Sequence, residues 1–208
     1  MSHSAKHTQM LTLPLVALGG VAAFPAVMLN FEINDAPSAL AAEAANATNS
    51  FILLISLREP TEGDYHIDDF CRIGTVAKIK QSVKSAEGTV RLLCEGYARA
   101  EILALHRFAD YYTAEVAYTT ELPTTELTLR NEAMLRVAKT TLAEMAALLP
   151  NLSEDVVKAA LAIEDAGAFC DFVAANVLVR FEDKQAVLEC FDKSERLEKT
   201  LNLMHEEA

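Results

Sequence analysis

The sequence predicts an α+β protein. A flexible leader (residues 1–10) precedes a strongly bent β-sheet lobe with one helix (11–120), and an all-helical bundle lobe (121–208) ends in a long helix. Three observations carry this expectation. Six of the seven glycines lie before residue 121, with only Gly167 after it. Short apolar segments of strand length dominate the first part, whereas Ala, Leu, Glu and Lys dominate the second. The acidic excess is also uneven, with a net charge of −4 over 1–120 and −8 over 121–208.

Leu11–Val16 and Met28–Ile33 are apolar segments separated by Gly19-Gly20 and the Phe24-Pro25 turn. Asp35 and Pro37 open an alanine-rich helix from Ser38 to about Ala47, since proline suits a first helical turn where its missing N–H is not needed. Phe51–Leu57 is a continuous apolar run of strand length, and Arg58–Asp69 reads as a polar loop. Ile73–Val83 alternates in part, then turns at Ser85-Ala86-Glu87-Gly88 into Val90–Cys94, which is a hairpin pattern. Glu95-Gly96-Tyr97 interrupts the next strand, Ala98–Leu105, and a lone glycine there marks a bulge or a close backbone approach. Tyr111–Thr119 completes six or seven strands.

Beyond Pro123, Thr124 or Thr125 serves as N-cap of the first helix of the second lobe, with Glu126 in its first turn. Met134, Val137, Ala138, Leu142, Met145, Leu148 and Leu149 form its apolar stripe, and Pro150 ends it. Ser153 starts a second helix and Asp165–Leu178 is a third, with Phe169, Phe172 and Val173 inward. A short fourth runs from about Asp183 to Phe191. Asp192 and Glu195 resemble a capping box opening the last helix, whose stripe continues through Leu197, Leu201 and Met204. That stripe meets no Gly or Pro stop before Ala208, which predicts a natural chain that goes on.

Eighteen basic against thirty acidic residues, a net charge of −12, disfavours a phosphate backbone or an anionic membrane surface as partner. Cys71, Cys94, Cys170 and Cys190 fall into none of the close pairs of zinc or redox motifs and read as reduced, buried thiols. The apolar run Leu11–Met28 is broken by Pro14, Gly19, Gly20 and Pro25, so neither a secretory signal nor a membrane span is expected. A soluble, cytoplasmic protein is the expectation.

Catalytic patterns do not emerge. The sequence holds no G-x-x-x-x-G-K-[ST], G-x-G-x-x-G or G-x-S-x-G motif. His3 and His7 share the spacing of helix metal ligands but sit in the polar leader. His66 among Asp64, Asp68 and Asp69 reads as a solvated acidic loop, because no ligand spacing is met. Glu95 is either a carboxylate with a shifted pKa or, more simply, an acceptor at a strand irregularity. No catalytic residue, metal ligand or cofactor site is expected. The remaining candidate is apolar surface: Phe24, Met28, Leu29 and Phe31 follow the Gly-Gly turn with few polar neighbours. They fill the small core or form an adaptable, Met-containing binding patch.

Several segments, in order, resemble one family. They are Leu13-Pro14-Leu15, Phe24-Pro25, Gly74-Thr75-Val76-Ala77-Lys78-Ile79, Glu95-Gly96-Tyr97-Ala98-Arg99-Ala100, Asp183-Lys184-Gln185 with Leu188-Glu189, and Glu195-Arg196-Leu197-Glu198. Together they resemble the amino-terminal domain of bacterial Lon ATP-dependent proteases, from about Leu11 to the last residue. The sequence departs from the family pattern at Asn30, where a proline is usual, and in the acidic loop 58–69.

The resemblance implies a non-catalytic domain that selects and holds unfolded, damaged or tagged proteins. It implies that an AAA+ module of the same polypeptide, using ATP and magnesium, unfolds and translocates them, and that a Ser–Lys protease domain cleaves them. Neither enzymatic module maps onto this chain, so no catalytic residue carries over. The resemblance further implies a hexamer for the parent protease and a monomer or weak dimer for the isolated domain. A stand-alone adaptor built on the same domain is the alternative. An independent enzyme using Glu95 or the His66 cluster is a third.

Overall fold

The computed structural model describes residues 8–61, 63–86, 89–120, 129–148 and 152–207. Two compact units divide the chain, Met1–Glu121 and Leu122–Ala208. Four sequence expectations lie outside the described residues: the His3–His7 pair, the Glu87-Gly88 turn, the Thr124/Thr125 cap and the Leu149–Pro150 stop.

The first unit holds six strands: β1 (Thr8–Gly19), β2 (Met28–Ile33), β3 (Phe51–Leu57), β4 (Ile73–Lys84), β5 (Val90–Phe108) and β6 (Tyr111–Thr119). Its helix α1 (Ala36–Ala47) lies between β2 and β3. The strand order is β2-β5-β4-β3-β1-β6, and β6 pairs again with β5, so β5, β4, β3, β1 and β6 form a closed ring. The bend expected from the sequence is therefore complete closure, with β2 attached outside the ring along β5.

Closure depends on β5, which is long enough to pair with β2 through Val90–Glu95 and with β6 through Arg99–Phe108. Unmatched residues in the ladders, Lys80 and Tyr97 between β4 and β5 and Leu103 between β5 and β6, tighten its twist as bulges do. The expected break at 95–97 is thus corrected to one continuous strand that bulges at Tyr97. Thr8, Gln9 and Met10, expected within the leader, instead belong to β1 and pair with Thr119, Tyr118 and Ala117 of β6.

β3 is buried on both faces, and its alternate residues enter different cores. Leu53 and Ile55 join Leu13, Leu15, Val76, Ala100 and Val116; Ile52 and Leu54 join Val16, Leu92, Cys94 and the alanines of α1. Ala41, Ala42 and Ala45 let α1 lie close against the sheet. Asp35 caps α1 by accepting the Ser38 N–H at 2.8 Å, and the Ser38 hydroxyl accepts the Ala17 N–H at 3.0 Å.

The second unit is helical: α2 (Leu129–Leu148), α3 (Glu154–Ala162), α4 (Ala166–Asn176), α5 (Phe181–Leu188) and α6 (Lys193–Glu207). The buried stripe of α2 is Leu135, Ala138, Leu142 and Met145, whereas Val137, expected inward, is half exposed. Phe169 and Val173 are fully buried as expected, and Phe172 is only partly so. Asp192 accepts the Ser194 and Glu195 N–H groups, so it caps α6 without needing the Glu195 side chain. Arg196 and Asp171 face each other at 3.5 Å in the core of this unit, 0% and 4% exposed by side chain. The Arg196 guanidinium also donates to the Cys190 and Phe191 carbonyls, fixing the turn between α5 and α6.

Candidate functional site

The segment from Gly20 to Val27 is held by the backbone of β5. Ala26 donates to the Gly96 carbonyl at 2.9 Å, and Gly96 donates to the Val27 carbonyl at 3.1 Å. A β-carbon on Gly96 would fall 2.7 Å from the Phe24 carbonyl carbon and nearer still to its oxygen. Only glycine permits this approach. The Glu-Gly-Tyr interruption in the sequence thus marks both a bulge and a close contact. Ala26 itself takes a left-handed φ of 58°, which the two bonds help to maintain.

This stapling separates the four candidate residues. Phe24 is 1% exposed and belongs to the core, so it offers no surface. The cause is local: the Gly96 contact draws the Phe24–Pro25 backbone down onto β5. Met28 is 48% exposed, and Leu29 and Phe31 are half-buried against the core that lies under α1. Along β2, Met28, Asn30 and Glu32 face solvent while Leu29, Phe31 and Ile33 turn inward. Glu32 pairs with Arg91 on β5. Tyr97, not among the sequence candidates, is 52% exposed at the bulge, and its ring stands 5.2 Å from Phe51 and 6.4 Å from Tyr118. Its signal in the sequence was its place beside Gly96, since a bulged residue is turned out of the ladder.

The other candidates have structural partners. Glu95 pairs with Lys80 at 2.6 Å on the exposed sheet surface. The His66 N–H donates to Asp69 at 2.7 Å, opening a single 3₁₀ turn over Ile67–Asp69. An open pocket of about 210 Å³ is lined by Asp64, Tyr65, Leu105, Arg107 and Tyr112. Its polar groups satisfy one another: Arg107 pairs with Asp64 at 2.5 Å, the Tyr112 hydroxyl donates to Asp64, and the Tyr65 N–H donates to the Tyr112 oxygen. Burial, aided by the Asp35 carboxylate, pushes the Tyr65 phenol up to about 12. Burial alone pushes the Cys94 thiol up to about 12, which leaves it a poor nucleophile. Among the described residues, no three His, Cys, Asp or Glu side chains are placed to hold a metal ion, and no helix is long and apolar enough to cross a membrane.

Residues 12–206 match the family model described as the ATP-dependent protease La (LON) substrate-binding domain. The chain belongs to the Lon substrate-binding domain family. Among curated Lon relatives, Lon protease of Clostridioides difficile is 31% identical over 198 residues, covering 94% of this chain and 25% of that protein. Lon protease of Escherichia coli K12 is 29% identical over 202 residues, covering 97% of this chain and 26% of that protein. The chain therefore spans about a quarter of the length of these Lon proteases. Its fold matches the N-terminal domain of Mycobacterium avium complex Lon protease, with a TM-score of 0.73 and 22% identity, covering 95% of this chain and all of that one. It also matches a Lon N-terminal domain protein from Xanthomonas campestris, with a TM-score of 0.64 and 16% identity, covering 92% of this chain and 98% of that one.

Proposed function

We propose that this Lon domain holds unfolded or damaged polypeptides for a Lon protease, and that Met28, Leu29 and Phe31 on β2 contribute contact surface. The observation that carries the reading is the match of residues 12–206 to a substrate-binding domain, with a half-exposed Met-containing strand in the first unit. In this reading the domain supplies binding and no bond cleavage. ATP with magnesium, unfolding and peptide hydrolysis belong to the AAA+ and protease modules of a hexameric Lon polypeptide. Apolar contacts with loose shape demands suit clients that share no sequence, and methionine adapts to varied surfaces. Each contact is weak, and several copies around a ring raise the effective concentration of the next.

Titrating the isotopically labelled chain with reduced and alkylated ribonuclease tests this. Chemical-shift changes at Met28, Leu29 and Phe31 are expected, with weak affinity. Changes that avoid Met28–Phe31 altogether overturn the surface, and sub-micromolar affinity of the monomer overturns the multivalent picture.

A further inference from the structure

Among the described residues, the outer edge of β2 is an open strand edge. β2 pairs with β5 along all six residues, from Met28 opposite Glu95 to Ile33 opposite Val90, and with no other strand. Among the described residues, no backbone bond from another segment reaches Met28–Ile33, and the one side-chain bond there joins Glu32 to Arg91. Among the described residues, the outer N–H and C=O groups of β2 therefore have no protein hydrogen-bond partner.

A second open edge gives the comparison. β4 pairs with β3 only through Thr75–Lys78, so its far half, Ile79–Lys84, is bare on that side. That half carries Lys80, paired with Glu95, and Lys84, paired with Glu43 of α1, with Lys78 just before it, so strand addition there would also have to desolvate these ion pairs. Lysine on an edge strand is a standard guard against strand addition, because pairing would desolvate the ammonium. β2 (Met-Leu-Asn-Phe-Glu-Ile) carries no lysine, arginine or proline, and Arg91 on β5 neutralises its single charge.

We infer that the outer edge of β2 takes an extended, uncharged apolar segment of an unfolded polypeptide as an additional strand. The ligand class follows from the groups presented. Alternating backbone donors and acceptors are complemented by another extended backbone, and side chains add only secondary preference, which suits clients without a common sequence. Charge complementarity sets the rest: the strand is neutral once Glu32 is paired, so a charged segment finds no partner on it. A second copy of this chain is disfavoured as occupant, because each copy carries a net charge of −12. The inference rests on the proposed client-binding role and deepens it, since β2 is also the strand that carries Met28, Leu29 and Phe31.

The test uses a blocked, fluorescein-labelled heptapeptide of alternating valine and threonine, together with a series bearing one backbone N-methyl group each. Strand addition makes binding fall roughly tenfold for N-methylation at every second position and hold within about twofold between them, because only alternate amides face the partner strand. Alternate β2 amides gain protection from hydrogen exchange on adding the peptide. Asn30→Lys weakens binding by roughly the same factor, while Ser82→Lys on the guarded edge leaves it unchanged. Equal binding of all N-methyl peptides overturns the inference. So does protection of β2 that rises with protein concentration in the absence of peptide, which assigns the edge to a second copy. If alkylated ribonuclease binds while the peptide does not, the strand-addition inference falls and the client role stands. If neither binds, the client role falls as well.

Discussion

A methyl group at position 96 has nowhere to go, because the Phe24 carbonyl already occupies that space and two backbone bonds hold it there. Gly96→Ala therefore forces the Gly20–Val27 segment off β5. Its expected cost is about 1–3 kcal/mol, the range for overpacking a tight site. Urea unfolding should show a lower midpoint, and the Ala26 amide should exchange faster. In the helical unit, Arg196 and Asp171 present the opposite case, a contact that is costly to break by halves. Arg196→Met leaves a carboxylate buried without its guanidinium, and the unit should lose about 3–5 kcal/mol. Adding Asp171→Leu removes that buried carboxylate, so the double variant should recover part of that loss in urea unfolding. A double variant no better than the single one would show that the carbonyl bonds to Cys190 and Phe191 dominate instead.

At the level of elements, the sequence was most legible where a local rule decides. Asp35 with Pro37, Ser153, Asp165 and Asp192 all announce helix starts, and each side chain accepts an amide in the first turn. Legibility failed where a distant partner decides. Thr8–Met10 look like leader until β6 pairs with them, and ring closure is invisible because β5 meets β6 and β2 through registers that no periodicity encodes. The apolar pattern puts Val137 inward and passes over Leu135, whereas Leu135 is buried and Val137 half exposed, because the phase of α2 is set by its packing. At the candidate site, Met28, Leu29 and Phe31 were legible as an apolar strand. The burial of Phe24 and the exposure of Tyr97 were not, since both follow from the Gly96 bulge.

The join between the acidic loop and α1 is an element-scale contact with a pH signature. The Tyr65 phenol is held protonated by burial first and by the Asp35 carboxylate second, and Asp35 also caps α1. Its folded pKa, about 12, lies above the ordinary value of 10. The stability it contributes is full below about pH 10 and is lost as pH rises toward 12. The Cys94 thiol, raised from 9 to about 12, acts in the same direction and begins earlier. Chemical denaturation across pH 9–12 should show falling stability of the first unit. Tyr65→Phe should flatten the part above pH 10 and leave the thiol's part in place. An unchanged slope in that variant would mean the phenol stays solvated.

For the whole molecule, the net charge of −12 acts at longer range than any single contact. Unfolded segments bearing scattered lysines should be drawn to the domain and acidic ones repelled, by a few-fold in affinity, on the order of the ~1 kcal/mol that exposed charges contribute. This preference should collapse with salt, since the screening length shrinks from about 10 Å at 0.1 M to about 3 Å at 1 M. Strand addition along β2 should not collapse, because backbone bonds and apolar burial carry no net charge. Two peptides of equal apolar content, one flanked by lysines and one by glutamates, separate the effects when titrated by fluorescence anisotropy at low and high salt. Their affinities should differ at low salt and converge at high salt on a common residual value that N-methylation of alternate amides still lowers. Convergence on no binding at all would make the charge field the whole of client recognition and leave β2 without a role.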